Sequence, residues 1–179
     1  MNQMILEIKF LDGYHGADKH RNCEWPPTPA RLFSALTKAS YSRKHLESKD
    51  GSDTLKWLEK QTPPDIYFSE SPNPKNFKFP LVYVPENGYK GNECFLYPKK
   101  LARTFPSVYA VSPYIYFNWI GVEAPPDFSE IVNYIGQLGT SRSMVIATLV
   151  DSLPDRIINF KHISPIKEFE NSDMTLPCY

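Results

Sequence analysis

The side chains with the most chemical scope fall in three short stretches. The segment "LGTSRS", Leu138–Ser143, offers Gly139, the hydroxyls of Ser141 and Ser143, and the guanidinium of Arg142. Loop N–H groups combined with hydroxyls and a guanidinium fork bind phosphate. The same segment also reads as a helix stop, with Gly139 left-handed ahead of a polar turn. In "YPKKLARTFPSVY", Lys99, Lys100 and Arg103 are flanked by Tyr97 and Phe105. Cations neutralise phosphates and rings stack on bases, although a solvated hairpin has the same composition. The third stretch, "DGYHGADKHRNCE", holds His15, His20 and Cys23. All three are zinc-binding types, but their spacing matches no common ligand pair and no fourth donor is obvious. The sequence has no nucleophile elbow and no Walker or dinucleotide loop, so nothing in it forces an enzyme.

These groups sit on a chain of zero formal net charge, which by itself argues against nucleic acid. The charges are unevenly placed, however. Residues 1–49 carry eight Lys/Arg against five Asp/Glu and residues 75–103 six against two, whereas residues 123–179 carry four against eight. Two locally basic segments on an otherwise acidic chain make a confined polyanion-binding face; a solvated charged surface gives the same count. With 179 residues and 41% apolar side chains, the chain is expected to build one core and one domain. No apolar run of about 18 residues and no basic-then-apolar start occurs, so neither a membrane span nor a usual secretion signal is expected. Cys23, Cys94 and Cys178 are odd in number and far apart, which fits free thiols in a reducing cytoplasm.

The elements that must position these groups follow from periodicity. "MILEIKFL" alternates, with Met4, Leu6, Ile8 and Phe10 on one face of a first strand. "DGYHGADKHRNCE" reads as a loop. Thr28 then caps a helix that has Pro29 in its first turn, where a fixed φ fits and a missing N–H costs nothing. Leu32, Phe33, Leu36 and Ala39 continue it at helical spacing, with Lys38, Arg43 and Lys44 elsewhere on the wheel. "TLKWLEK" predicts a short helix, and "DIYF" and "FPLVYVP" predict strands. "ENGYKGNE" predicts a hairpin tip within an insertion at about 87–112. "YIYFNWIGV" is a strong strand. Phe128, Ile131, Ile135 and Leu138 mark a second helix from near Asp127 to Gly139, and "SMVIATLV" is a last strand. Strand, helix, strands, helix, strand is the order of a ferredoxin-like α+β sandwich with an inserted hairpin or thumb.

The junction "EWPPTPARLFSAL", Glu24–Leu36, with the preceding "FLDGYH", resembles the N-terminal motif of a CRISPR-associated RAMP family. That family is the type I-G (formerly I-U) fusion of a Cas-five-type domain with a Cas-six-type ribonuclease. "LKWLEKQTPPDIYFS", "YVPENG", "RTFPSV" and "LGTSRSMVIATL" follow in the family's order, from about Leu6 to Leu149. The resemblance implies a ferredoxin-like (RRM/RAMP) RNA-binding core that holds the repeat-derived 5′ handle of a crRNA in a Cascade complex for antiviral defence. It implies as partners the crRNA, the backbone and large subunits, and target DNA near the PAM, with no cofactor and no metal. Motif by motif, it puts Tyr14, His15, Arg31, Arg103, Gly139, Ser141, Arg142 and Ser143 near RNA. Lys99 and Lys100 join them from the basic-aromatic stretch. The Cas-six-like half of the family is expected beyond "TLPCY", so its cleavage chemistry is not assigned to these residues.

Two other functions remain open at this point. One is a metal-independent endoribonuclease that processes precursor crRNA. It would need a base for a 2′-hydroxyl and a cation for the developing charge, and His15, Tyr14 and Arg31 are the candidates by type. The other is a structural module whose aromatic surface packs on neighbouring subunits.

Overall fold

The computed structural model describes residues 2–12, 14–15, 25–69, 81–85, 100–104, 108–109, 112–141, 143–155 and 160–164. The first strand, β1 (Gln3–Phe10), buries Met4, Leu6, Ile8 and Phe10 on one face and Ile5 on the other. It lies inside a sheet rather than at its edge. It pairs antiparallel with β7 (Tyr114–Ile120) on one side and with β8 (Val145–Val150) on the other. Beyond β7 come β3 (Asp65–Phe68) and β9 (Lys161–Ile163), also antiparallel. The sheet order is thus β8-β1-β7-β3-β9. Without the edge strand β9, the remaining four lie in the order fourth, first, third, second of the core sequence, which is the ferredoxin-like α+β arrangement.

Helix α1 (Pro29–Glu47) starts as the sequence predicts. The Thr28 side chain accepts a hydrogen bond from the Arg31 N–H, and Pro29 occupies the first turn. Leu32, Leu36, Ala39, Ser40 and Arg43 recur on its buried face. The helix stops at Ser48, which is left-handed at φ 57° and returns its N–H to the Lys44 carbonyl. Helix α2 (Ser52–Glu59) follows at once. With α3 (Pro126–Val132), α1 covers one face of the sheet, and Leu6, Ile8, Phe10, Phe117, Phe128 and Ile131 meet in the core. On the other face Phe160 approaches Tyr116, ring centroids 6.1 Å apart.

Two expectations need correction. The second helix ends at Val132, well before Gly139. Tight turns follow, with Tyr134 and Ile135 N–H groups bonding to the Ile131 and Val132 carbonyls, and the chain then enters a bridge pairing Gln137 with Met144. Ile135 and Leu138 stay buried, so their helical spacing reports burial and not helix. Tyr14–His15 is a two-residue strand, β2, and not plain loop, because it pairs with β6 (Val108–Tyr109).

Strands β4 (Leu81–Pro85) and β5 (Lys100–Thr104) pair antiparallel as a sheet of their own. They bracket the expected hairpin tip, which lies outside the described residues. No helix of the described residues is long and apolar enough to cross a membrane.

Strand directions decide where the loops go. Phe10 at the end of β1 pairs with Val145 at the start of β8, and the Leu11 N–H bonds to the Met144 carbonyl at 3.0 Å. Phe10 also donates to the Pro113 carbonyl at 2.8 Å, and Phe68 at the end of β3 faces Ile115. Antiparallel pairing therefore collects the segments around residues 11–15, 69, 112–113 and 137–144 at one end of the sheet.

Candidate nucleic-acid interface

The Trp25 ring anchors the proline-rich junction to this end of the sheet. Its Nε1 donates to the Ser69 carbonyl at 3.0 Å, and its ring lies against Phe10, His15 and Phe68 with centroids 6.1, 6.0 and 6.5 Å away. Ser69 in turn accepts the Ser112 N–H through its Oγ at 3.0 Å. One aromatic side chain thus ties the exits of β1 and β3 together and fixes where α1 begins. The His15 ring is wholly buried, 5.4 Å from Phe10, so it belongs to this cluster and supports the loop from inside.

With its start fixed, α1 forms one wall of an open groove of about 430 Å³. Thr28, Arg31, Ser34 and Lys38 line that wall, and Gln137 and Gly139 line the other. Arg31 of the proline-led motif and Gly139 of "LGTSRS" therefore face one space, although they lie far apart in sequence. Two cations, two hydroxyls and an amide bound the groove, with no carboxylate among its lining residues. The N-terminal turn of α1 contains no acidic residue, so the positive end of the helix dipole is not neutralised from within the helix. Such a surface suits an anion.

The loop of the second wall is held by its own backbone. Leu138 is buried and its N–H bonds to the Ser143 carbonyl at 3.0 Å; the Ser143 N–H bonds to the Thr140 carbonyl at 2.9 Å. Ser143 is buried, with its Oγ 3.4 Å from Thr140 Oγ1, while Ser141 is exposed at the turn. Gly139 has φ 100°, which L side chains seldom adopt, so here the conformation itself calls for glycine. Arg142 lies outside the described residues, as does Lys99.

Tyr14 stands in β2 opposite Tyr109; Lys100 and Arg103 stand in β5 opposite Pro85 and Val82. The structure thus brings together Arg31 and Gly139; Ser141 and Ser143 belong to the loop that follows Gly139 but do not line the groove. Tyr14 and His15 sit on a separate small sheet, and Lys100 and Arg103 on another. Ser34, Lys38 and Gln137 were missed. Ser34 and Lys38 follow Arg31 at i+3 and i+7, spacing that puts all three on one helix face and that could have found them. Among the described residues no three His, Cys, Asp or Glu side chains come together to hold a metal; His20 and Cys23 lie outside those residues.

A charged clamp ties α1 to α3. Arg43 is 1% exposed and reaches Glu130 and Asp127 of α3 as well as Glu47 of its own helix. Lys49 adds a 3.1 Å bond to Glu130. That hydrogen bond, with the Arg43 charge, holds the Glu130 carboxyl below its ordinary range. The Tyr134 hydroxyl donates to Glu47, which raises the Tyr134 pKa. In the 2.9 Å pair of Lys44 and Asp50, the carboxylate raises the Lys44 pKa and the ammonium lowers that of Asp50.

No curated protein matches the sequence. Among solved structures, the chain is similar to a CRISPR protein from Archaeoglobus fulgidus with 14% identity and a TM-score of 0.39. The similarity covers 92% of this chain and 65% of that one, so the chain spans less than two thirds of that protein's length. The profile of the family described as CRISPR-associated protein, GSU0054 family, matches residues 2–156. With most of its length under that match, this chain belongs to the CRISPR-associated GSU0054 family.

Proposed function

We propose that the chain is an RNA-holding subunit of a type I-G Cascade, of Cas-five type, and that it binds the repeat-derived 5′ handle of the crRNA. One observation carries this reading: Arg31 at the start of α1 and Gly139 before β8 line a single carboxylate-free groove. Phosphate affinity there comes from the guanidinium, the helix N-terminus and close approach of backbone at a glycine. Ser141 extends the same contact at the turn, and Arg142 of the same motif adds a guanidinium by its type. Lys99, Lys100 and Arg103 add charge from the segment around β5, and Tyr14 a ring for stacking. The crRNA, the backbone and large subunits and target DNA near the PAM are the partners, and the work is done in the cytoplasm.

The endoribonuclease alternative receives less support, because a base for a 2′-hydroxyl must face RNA and the His15 ring is enclosed by Phe10 and Trp25. Incubating the chain with end-labelled repeat RNA in EDTA, followed by native and denaturing gels, tests the proposal. The expected result is a retarded, uncut RNA. A shortened product would favour the nuclease, and no retardation at low salt would refute RNA holding.

A further inference from the structure

We infer that Lys38 is a second phosphate contact and that the groove is a track continuing past it toward Ser42; this rests on the RNA-holding reading above. The hollow of about 430 Å³ does not close at Lys38. A second one of about 200 Å³ shares Ala35, Lys38 and Gln137 with it and extends to Ser42 and Tyr134. Neither is lined by a carboxylate.

The ion pairs along α1 single out the same residue. Arg43 is engaged by three carboxylates and Lys44 by Asp50. Lys38, exposed where the two hollows meet, has no carboxylate at ion-pair distance among the described residues. A lysine placed on a carboxylate-free groove without a protein counter-charge offers its whole charge to a ligand, and one that already holds an Asp offers little. Seven residues of helix separate Lys38 from Arg31, about 10 Å along the axis. That spread serves two different phosphates of one strand rather than two sides of a single phosphate. Past Ser42, Glu47 meets Tyr134 and is paired with Arg43 and Lys49, so the cations there are already engaged and offer a polyanion little. The occupant is therefore an extended single strand that enters at Thr28 and leaves by Ser42.

The test is a salt series on the full chain with fluorescein-labelled handle RNA, comparing wild type with Arg31→Gln, Lys38→Gln and Lys44→Gln. Each single-strand phosphate contact contributes about 0.7 to the slope of log affinity against log salt. Lys38→Gln is expected to flatten the slope by about that amount, additively with Arg31→Gln, while Lys44→Gln leaves it alone. A slope unchanged in Lys38→Gln but reduced in Arg31→Gln overturns the second contact and leaves the parent reading standing. Absence of RNA binding by the wild-type chain removes both. Lys38-dependent binding of poly-glutamate in place of RNA makes the groove a peptide site and overturns the track. Thermal melts matching wild type in all three variants show that a lost contact is not lost fold.

Discussion

Gly51 is expected to tolerate no side chain, and the reason is space. Its backbone, φ −97° and ψ 14°, is open to any residue. A Cβ built there would lie 2.5 Å from Ser40 Oγ on α1 and 2.7 Å from Ile131 Cδ1 on α3. Non-bonded carbons rest at about 3.5–4.0 Å, so roughly 1 Å of relief is needed in two directions at once. Both atoms are side-chain tips, but Ser40 and Ile131 are buried, so a rotamer change has to find space in a packed core. Overpacking of this kind costs about 1–3 kcal/mol. For a domain of this size, a loss of about 2 kcal/mol lowers Tm by roughly 4–8 °C. The assay is thermal and urea unfolding of Gly51→Ala followed by circular dichroism. Adding Ser40→Ala and Ile131→Val removes the two obstructing atoms. The combined variant should lose less stability than the separate losses added together, a coupling that a mutant cycle reads directly. If Gly51→Ala melts with the wild type, the close approach of α1 and α3 across this glycine is wrong.

Three further outcomes are expected. Thr28→Ala removes the side-chain acceptor of the Arg31 N–H, leaving only the Thr28 carbonyl; the cap is worth about 1 kcal/mol, so both Tm and RNA affinity should fall, and no change in either would reject the capping role. Gly139→Val forces a β-branched residue to φ 100° and should weaken both fold and RNA binding, whereas a variant as stable and as tight as wild type would show that the loop adapts freely. Glu130 has a folded pKa depressed below its ordinary 4.5 by Lys49 and Arg43; its contribution is present above that ordinary value and lost as pH falls through the folded one. Melts taken across the acid range should therefore decline below about pH 4.5, and Glu130→Gln should make the decline shallower; an identical acid limb in the variant would count against the clamp.

Strands β1, β7 and β8 were readable because each alternates or fills a run of apolar positions. The start of α1 was readable because Thr28 and Pro29 act locally. The end of α3 was not. Ile135 and Leu138 keep helical spacing and stay buried, yet they reach the core by turns and a bridge, and spacing does not tell the two backbones apart. His15 is a candidate for RNA contact or proton transfer by its motif and type, and only the meeting of Phe10 and Trp25 reveals its burial. Half of the groove is encoded locally in "PARLFSALTK", where Arg31, Ser34 and Lys38 share one helix face, although the sequence reading singles out only Arg31. Its other half depends on where the chain runs after Val132, which no local rule states. The crowding around Gly51 has no local signal, since its neighbours come from two other helices.

The pairing of β3 with β7 has a consequence for how this fold can vary. In the simplest ferredoxin-like core those strands form a hairpin, but here the connection runs from Phe68 to Tyr114 and carries β4, β5 and β6. Closing a loop roughly ten times longer than a tight hairpin adds only about 2 kcal/mol of chain entropy, and pairing inside the loop reduces even that. The core contacts of Ile66 and Phe68 with Phe117 and Ile115 do not depend on what the excursion contains. An arm at this place can be lengthened, shortened or exchanged at small thermodynamic expense, which makes it the position where new reach evolves while the packed layers underneath stay the same.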